Sequence, residues 1–319
     1  MKNSLSHLPF PIFRLPLIKM IENIKESVRT LLSDIIDYAG LFPPSQVSMS
    51  EAVLNYATYK NSNYSWMLSR FVLPAARLDE FLESAKDFIS RDSGDVWRLS
   101  VLAGEDIYDT LRRIEEFNAK NSSRVVGDVL EVRATTESKI ENTVNALPPD
   151  LTAYFEIPID DRLADLISAL AIRGQKAKVR TGGVSADAFP PSKSIIRFIR
   201  TCLAANVPFK ATAGLHHPVR CFKPLTYEAN APQGTMNGFL NMFLTTAFAR
   251  YGFKPAVLEE IFEDESAANF TFDESGAWWR NEHFLNNSQL ERVRQMNIIS
   301  FGSCSFTEPI EDLQDLNLL

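Results

Sequence analysis

Three cysteines in 319 residues is few, and Cys202, Cys221 and Cys304 are widely spaced with no CxxC pair. That pattern excludes a disulfide framework and a cysteine-based zinc site, and it fits a reducing cytoplasm. Basic charge is also in short supply. Against 40 Asp and Glu stand 33 Lys and Arg, leaving a net charge of −7 and a pI near 5.3, so there is no general footprint for nucleic acid or an anionic membrane. No stretch reaches the ~18 uninterrupted apolar residues needed to cross a bilayer; the nearest, FLNMFLTTAFARYG (239–252), is broken up and amphipathic. The first nineteen residues carry Pro9, Pro11, Pro16 and Arg14 and lack a small-residue cleavage site, a poor fit to a signal peptide. They read as a flexible extension ahead of an alternative start at Met20. No GxGxxG follows the first strand-like run and no HExxH occurs, which removes the main signs of a dinucleotide fold and of a helical zinc site.

What is present is an ordinary globular composition, 45% hydrophobic and 23% charged, enough to bury a large core. Residues 20–66 read as two helices, IENIKESVRTLLSDIIDYAG and SEAVLNYATYKN, separated by the breaker GLFPPS and with Ser48 or Ser50 as the second helix's cap. Beyond residue 66 short β-branched runs alternate with amphipathic stretches. SRFVLPA, VWRLSVLAG, RVVGDVLEVRA, LTAYFEIP, KAKVRTGG and PFKATAG are strand-like, with helical periodicity between them. This rhythm indicates βα units on a parallel sheet. ANFTF offers a seventh strand, with DESGAWWR as a hairpin, and IISFGSCSF an eighth. With roughly 250 residues from the first strand to the end, the expected fold is α/β, a (β/α)8 TIM-type barrel at 67–319 with an N-terminal helical extension.

Chemistry in such a barrel belongs at the C-terminal ends of the strands, and alternation along a strand tells which side chains face inward. In PFKATAG the apolar Phe209, Ala211 and Ala213 face the helices, so Lys210 and Thr212 face in. The same rule turns in Glu131 and Arg133, Tyr154 and Glu156, and Lys178 and Arg180. Isolated charges cost several kcal/mol each to bury, so this set must pair, hydrate or bind something. The alternatives are a structural ion-pair network and a polar site for a small anionic molecule. An amine near Lys178 and Arg180, partly desolvated, would lose proton affinity and attack a carbonyl, with Glu131 or Glu156 moving the protons.

KATAG (210–214) is similar to the Lys-Thr-Ser-Thr-Gly strand that carries the Schiff-base lysine of deoxyribose-phosphate aldolases. A sixth-strand lysine also recurs in other class I aldolases and in type I dehydroquinate dehydratases, whose Glu-x-Arg strand resembles Glu131-Val132-Arg133. The resemblance implies a lyase and an imine at Lys210. It spans five to eight residues, and it departs in LHHPVR after the motif and in the absence of a lysine from ANFTF. The set DYAGLFPP, FKATAGLHHPVR and SFGSCSFTEPIEDL resembles a bacterial protein family of uncharacterised members.

His216 and His217 are candidates for proton transfer. As neighbours in an extended segment they would point opposite ways, so only one is expected in the site. In FGSCSFTEP, Ser303 and Ser305 precede a helix start that suits a phosphate or carboxylate, or else simply caps the closing turn. Cys304 is a nucleophile beside a histidine or, as is usual for a buried cysteine, inert packing. The long loop RCFKPLTYEANAPQGTMNG is a candidate lid, Asn237 and Asn241 are either part of the mouth or exposed caps, and Trp278 and Trp279 are expected to pack.

The sequence therefore points to a lyase or aldolase-like enzyme on a small anionic carbonyl compound or sugar phosphate, with no metal or cofactor expected. Lys210, Glu131, Glu156 and His216 are the catalytic candidates. Arg133, Lys178, Arg180, Thr212, His217, Ser303 and Ser305 are the substrate-binding candidates. A metal-assisted isomerase or lyase and a non-catalytic anion-binding protein are the alternatives, and a homo-oligomer is compatible with all three.

Overall fold

The computed structural model of the protein describes residues 24–89 and 95–319; the extension expected at 1–19 lies outside them. Helix α1 (Glu26–Leu32) leads into β1 (Ile36–Tyr38), followed by α2 (Met49–Lys60), β2 (Leu68–Pro74) and α3 (Leu78–Ala85). Next come β3 (Trp97–Leu102), α4 (Ile107–Asn121), β4 (Val125–Arg133), α5 (Glu137–Ala146), β5 (Thr152–Glu156), α6 (Leu163–Ile172), β6 (Lys176–Arg180), α7 (Ser192–Ala204) and β7 (Phe209–Thr212). A hairpin of β8 (Cys221–Pro224) and β9 (Gln233–Met236) then precedes α8 (Phe239–Arg250) and α9 (Pro255–Glu263). The strands β10 (Phe270–Phe272), β11 (Gly276–Trp279) and β12 (His283–Asn286) form a small antiparallel sheet before α10 (Asn287–Met296), β13 (Ile298–Ser303) and α11 (Thr307–Asp315).

Eight parallel strands close the barrel in the order β1-β13-β7-β6-β5-β4-β3-β2, so the fold is a (β/α)8 barrel as expected. The helix-facing residues read from alternation are buried as required. Phe209, Ala211, Val179 and Phe155 are all sealed from solvent, and Phe209 packs edge-on against Phe198 of α7 at 5.2 Å. Ser48 caps α2 by accepting the Glu51 amide, and a capping box of Asn286 and Gln289 opens α10.

Two strand assignments differ from the sequence reading. ANFTF supplies no barrel strand: Phe270–Phe272 pairs antiparallel with β11 in the outer sheet. The missing strand is Ile36–Tyr38, which lies inside the run read as one long helix and within the 20–66 region assigned to packing helices. The helix stops at Leu32, and Asp34 takes a positive φ of 50° to redirect the chain. The barrel thus starts well before residue 67, and the first six strands numbered from the sequence shift up by one, while Ile298–Ser303 remains the eighth. Lys210 consequently lies on the seventh barrel strand, not the sixth, which removes the positional part of its likeness to class I aldolases.

The lower end of the barrel is closed by charge pairing. Arg70 holds Asp128 through two bonds of 2.7 and 2.8 Å, and Arg98 binds the same carboxylate. Among the described residues, no helix is long and apolar enough to cross a membrane.

Candidate active site

Lys210 does face the barrel interior. Its Nζ lies 2.7 Å from Asp37 Oδ2 on β1 and 2.5 Å from Glu131 Oε1 on β4, with the Tyr154 ring centroid 5.3 Å away. Ser100 donates to Glu131 Oε1 at 2.6 Å and Ser300 to Asp37 Oδ2 at 2.7 Å. The other Glu131 oxygen takes Lys178 Nζ at 2.7 Å, and Lys178 also reaches Glu156 at 2.7 Å. Glu156 then meets Arg180 Nε at 3.5 Å. A continuous chain of alternating charge therefore runs from the sealed Asp37 to Arg180, whose side chain is 56% exposed at the mouth. The structure brings together five of the predicted residues, Lys210, Glu131, Lys178, Glu156 and Arg180, and adds Asp37, Ser100 and Ser300.

The electrostatics of Lys210 run opposite to the expectation of a low-pKa amine. Burial, at only 2% exposure, favours loss of its proton, but the carboxylates of Asp37 and Glu131 outweigh that and raise its pKa. The cations expected to lower it are separated from it by these carboxylates. Glu131 is likewise fully buried, yet Lys178 and Lys210 hold its pKa far below the usual carboxylate range. Glu156 is held low in the same way, chiefly by Lys178. Above the cluster the C-terminal ends of β6 and β7 are covered by Phe189. Its ring lies so close over Gly182 and Gly214 that a Cβ at either would come within 2.4 and 2.7 Å of it. Thr212, on the inward face as expected, is half-buried and borders Gly302 of the adjoining β13.

Arg133 projects from the end of β4 beside this plug and is exposed. With Arg180, Glu156, Thr135 and Ser194 it lines a cavity of about 490 Å³. Among the described residues Arg133 makes no ion pair, and Arg180 pairs only with Glu156.

The predicted histidines belong to a second cluster, at the ends of β7 and β13. His216 Nδ1 is 3.8 Å from Cys304 Sγ and 3.2 Å from Glu308 Oε2 of α11. His217 Nδ1 contacts Asp312 at 2.5 Å, and its Nε2 lies 3.8 Å from the other Glu308 oxygen. Both rings thus turn to one helix, contrary to the expectation from strand alternation. The reason is local: Ala213 and Gly214 take positive φ values of 65° and 75°, so β7 has ended and the chain is turning before the histidines. Tyr227, carried by the loop between β8 and β9, donates to Glu308 at 3.0 Å and lies 3.8 Å from Cys304 Sγ. The long segment read as a candidate lid does reach the mouth.

Ser303 and Ser305 are engaged in the closing turn. Ser305 Oγ accepts the Glu308 amide at 3.1 Å, and Ser303 Oγ accepts the Ser305 amide at 3.3 Å. With Glu308 and Glu311 lining the adjoining cavity, this helix start presents carboxylates where an anion was expected. Asn237 and Asn241 are buried rather than exposed caps. Asn241 bonds the carbonyls of Ile261 and Asp264, while Asn237 bonds that of Thr181. Trp279 packs as expected, with its indole N–H on Asp264. Among the described residues, no three His, Cys, Asp or Glu side chains converge so as to hold a metal ion.

Asp37, Glu308 and Tyr227 are the site residues that sequence reasoning passed over; Cys304, for which the sequence offers a nucleophile beside a histidine as the alternative to packing, meets His216. Asp37 had one available signal: it precedes the small pair Ala39-Gly40 and the breaker Pro43-Pro44, which suits a strand end as well as a helix end. Compared with family models, curated proteins and solved structures, the chain matches none.

Proposed function

We propose that the protein is an enzyme of lyase type acting on a small anionic carbonyl compound, bound at the C-terminal mouth over β4, β5 and β6. The observation that carries this reading is the end of the charge chain. Around Lys210 each buried cation touches a carboxylate, whereas at the rim Arg133 is unmatched among the described residues and Arg180 leans on a carboxylate 3.5 Å away. Two guanidinium groups on one cavity suit a phosphate or carboxylate, which they can engage bidentately. Glu156, half-buried below them and held ionised by Lys178, serves in this reading as the base that accepts a proton from the carbon next to the carbonyl. Lys178, donating to Glu156 and Glu131, keeps that base ionised and oriented.

Lys210 serves in this reading as a buried ammonium that fixes Asp37 and Glu131 and keeps the interior neutral. An imine at Lys210 would require its proton to pass to Asp37 or Glu131 and the Phe189 cover to move. The protein's raised affinity for that proton and its 2% exposure argue for the electrostatic role.

A thermal-shift titration with inorganic phosphate and glycolaldehyde phosphate tests the site. Saturable stabilisation that Arg180→Ala or Arg133→Ala weakens at least tenfold in apparent affinity is the expected result, since each removes one charge-assisted contact. Stabilisation indifferent to both substitutions would place the anion elsewhere. Deuterium exchange into the carbonyl compound, lost in Glu156→Gln, checks the proton-transfer role.

A further inference from the structure

We propose that Cys304 is a nucleophilic thiolate, paired with protonated His216 and positioned by Glu308, that takes uncharged electrophilic carbon compounds in a cavity separate from the arginine-lined one. Four groups from three parts of the chain meet at this point. Sγ lies 3.8 Å from both His216 Nδ1 and the Tyr227 hydroxyl. The Glu308 carboxylate lies 3.2 Å from the same nitrogen and 3.0 Å from the same hydroxyl. Glu308 thereby draws the imidazole and the phenol together beside the sulfur; the phenol's one proton goes to Glu308, and the Nδ1–H is shared between Glu308 and the sulfur. Cys304 and Glu308 are four residues apart in the chain, whereas the fold brings in His216 and Tyr227 from 88 and 77 residues away from Cys304.

The sulfur lines a cavity of about 390 Å³ bordered by Tyr38, Asn55, Tyr59 and Thr307. Its walls supply hydroxyl and amide groups, and its acidic members, Glu308 and Glu311, disfavour an anion. Helix α11 starts three residues beyond Cys304, and its N-terminal dipole favours negative charge on the sulfur. The three thiols of the protein differ accordingly. Burial pushes Cys202 and Cys221 up, the latter to about 11. Burial raises Cys304 as well, but hydrogen bonding and charge from His216, with a contribution from Ser45, overcome it and lower the thiol. His216 shows the reciprocal effect: burial works against its proton, and Cys304 and Glu308 raise its pKa to about 10.

In the step this arrangement supports, the Cys304 sulfur donates an electron pair to form a C–S bond. The leaving group departs with its bonding pair, taking the His216 proton where it is basic enough to need one. No redox partner is involved.

Iodoacetamide labelling of the full-length native protein, followed at each cysteine by peptide mass spectrometry, tests the inference; this reagent displaces iodide and needs no proton. A thiol of ordinary pKa near 8.5 labels about 25-fold more slowly at pH 6.5 than at pH 8, following its thiolate fraction. Cys304 is expected to slow less than fivefold over that range and to outpace Cys221 at pH 6.5 by at least tenfold. Iodoacetamide should be preferred over iodoacetate by a larger ratio at Cys304 than at glutathione. The His216→Gln variant should restore the steep pH dependence. The inference is overturned if Cys304 in the unaltered protein falls off like a free thiol, if Cys221 labels first, or if a folded His216→Gln variant keeps the shallow profile. The profile of the unaltered protein decides the matter even where the variant does not fold.

Discussion

The clusters around Lys210 and around Cys304 belong to one barrel, yet they are held in opposite ways. Around Lys210 the key contacts are 2.5–2.7 Å, opposite charges alternate, and Phe189 covers the top. Around Cys304 the contacts among His216, Tyr227, Glu308 and the sulfur are 3.0–3.8 Å and open onto a cavity. Tight reciprocal pairing satisfies buried charge and fixes a geometry, but it leaves no group free to react. Looser contacts leave room for an incoming atom, and catalytic hydrogen bonds are often long before substrate arrives. The difference divides the barrel into a neutralised interior that sets the fold and a rim that meets ligands, with Arg133 and Arg180 on one side and Cys304 and His216 on the other.

The largest effect should come from cutting the interior chain. Lys210→Met leaves the buried Asp37 without a cation and Glu131 with Lys178 alone, a change that costs about 3–5 kcal/mol; urea unfolding measures it. Glu308→Gln at the rim, by contrast, weakens half-open contacts and should cost about 1 kcal/mol. Equal losses in the two variants would erase the distinction.

The pH dependence of stability sharpens the same contrast. Glu131 and Glu156 have lowered pKa values in the folded protein, so their contribution is complete above about pH 4.5 and drains as pH falls through the folded values. Lys210 has a raised pKa, so its contribution is complete below about pH 10.4 and is lost as pH rises through the folded value. His216 is also raised, to about 10; its smaller contribution is complete below about pH 6.5 and gone once pH passes its folded value. Cys304 is lowered, so its contribution is complete above about pH 8.5 and offsets the slope of His216 between neutrality and that pH. Unfolding midpoints measured across pH should therefore collapse in acid, stay level from neutrality to about pH 8.5, decline gently to pH 10, and fall steeply beyond. His216→Gln should remove the gentle decline alone.

The smallest effects are expected at the exposed arginines. Arg133→Ala and Arg180→Ala should change unfolding free energy by about 0.5 kcal/mol or less, as exposed charges generally do, while phosphate affinity falls. A stability loss comparable to that of Lys210→Met would mean that these arginines belong to the structural network.

Much of the barrel was legible because its helices carry a clear 3.6-residue period and its strands place charge on one face and apolar residues on the other. Lys210, Glu131, Lys178 and Glu156 could be turned inward on that basis alone. Ile36–Tyr38 escaped because it is three residues long and buried throughout, and a short apolar run cannot be assigned to strand or helix by period. Mistaking it hid Asp37, the carboxylate that most directly reverses the chemistry expected of Lys210. The Phe270–Phe272 strand is real but pairs outside the barrel, and pairing partners are not written in a strand's own residues. The Cys304 cluster was only partly legible, for another reason: a cysteine beside a histidine could be named as an alternative, but not the residues that would meet it. Its members come from the turn after β7, a long loop and the start of α11, where no fixed spacing links them and strand alternation has already ended.

Reductive trapping of the native protein with borohydride, in the presence of pyruvate or glycolaldehyde phosphate, tests most directly whether the interior is sealed and electrostatic. Peptide mapping should find surface lysines modified and Lys210 untouched. A substrate-dependent adduct at Lys210 would contradict the division of labour and return the imine to the centre of the mechanism.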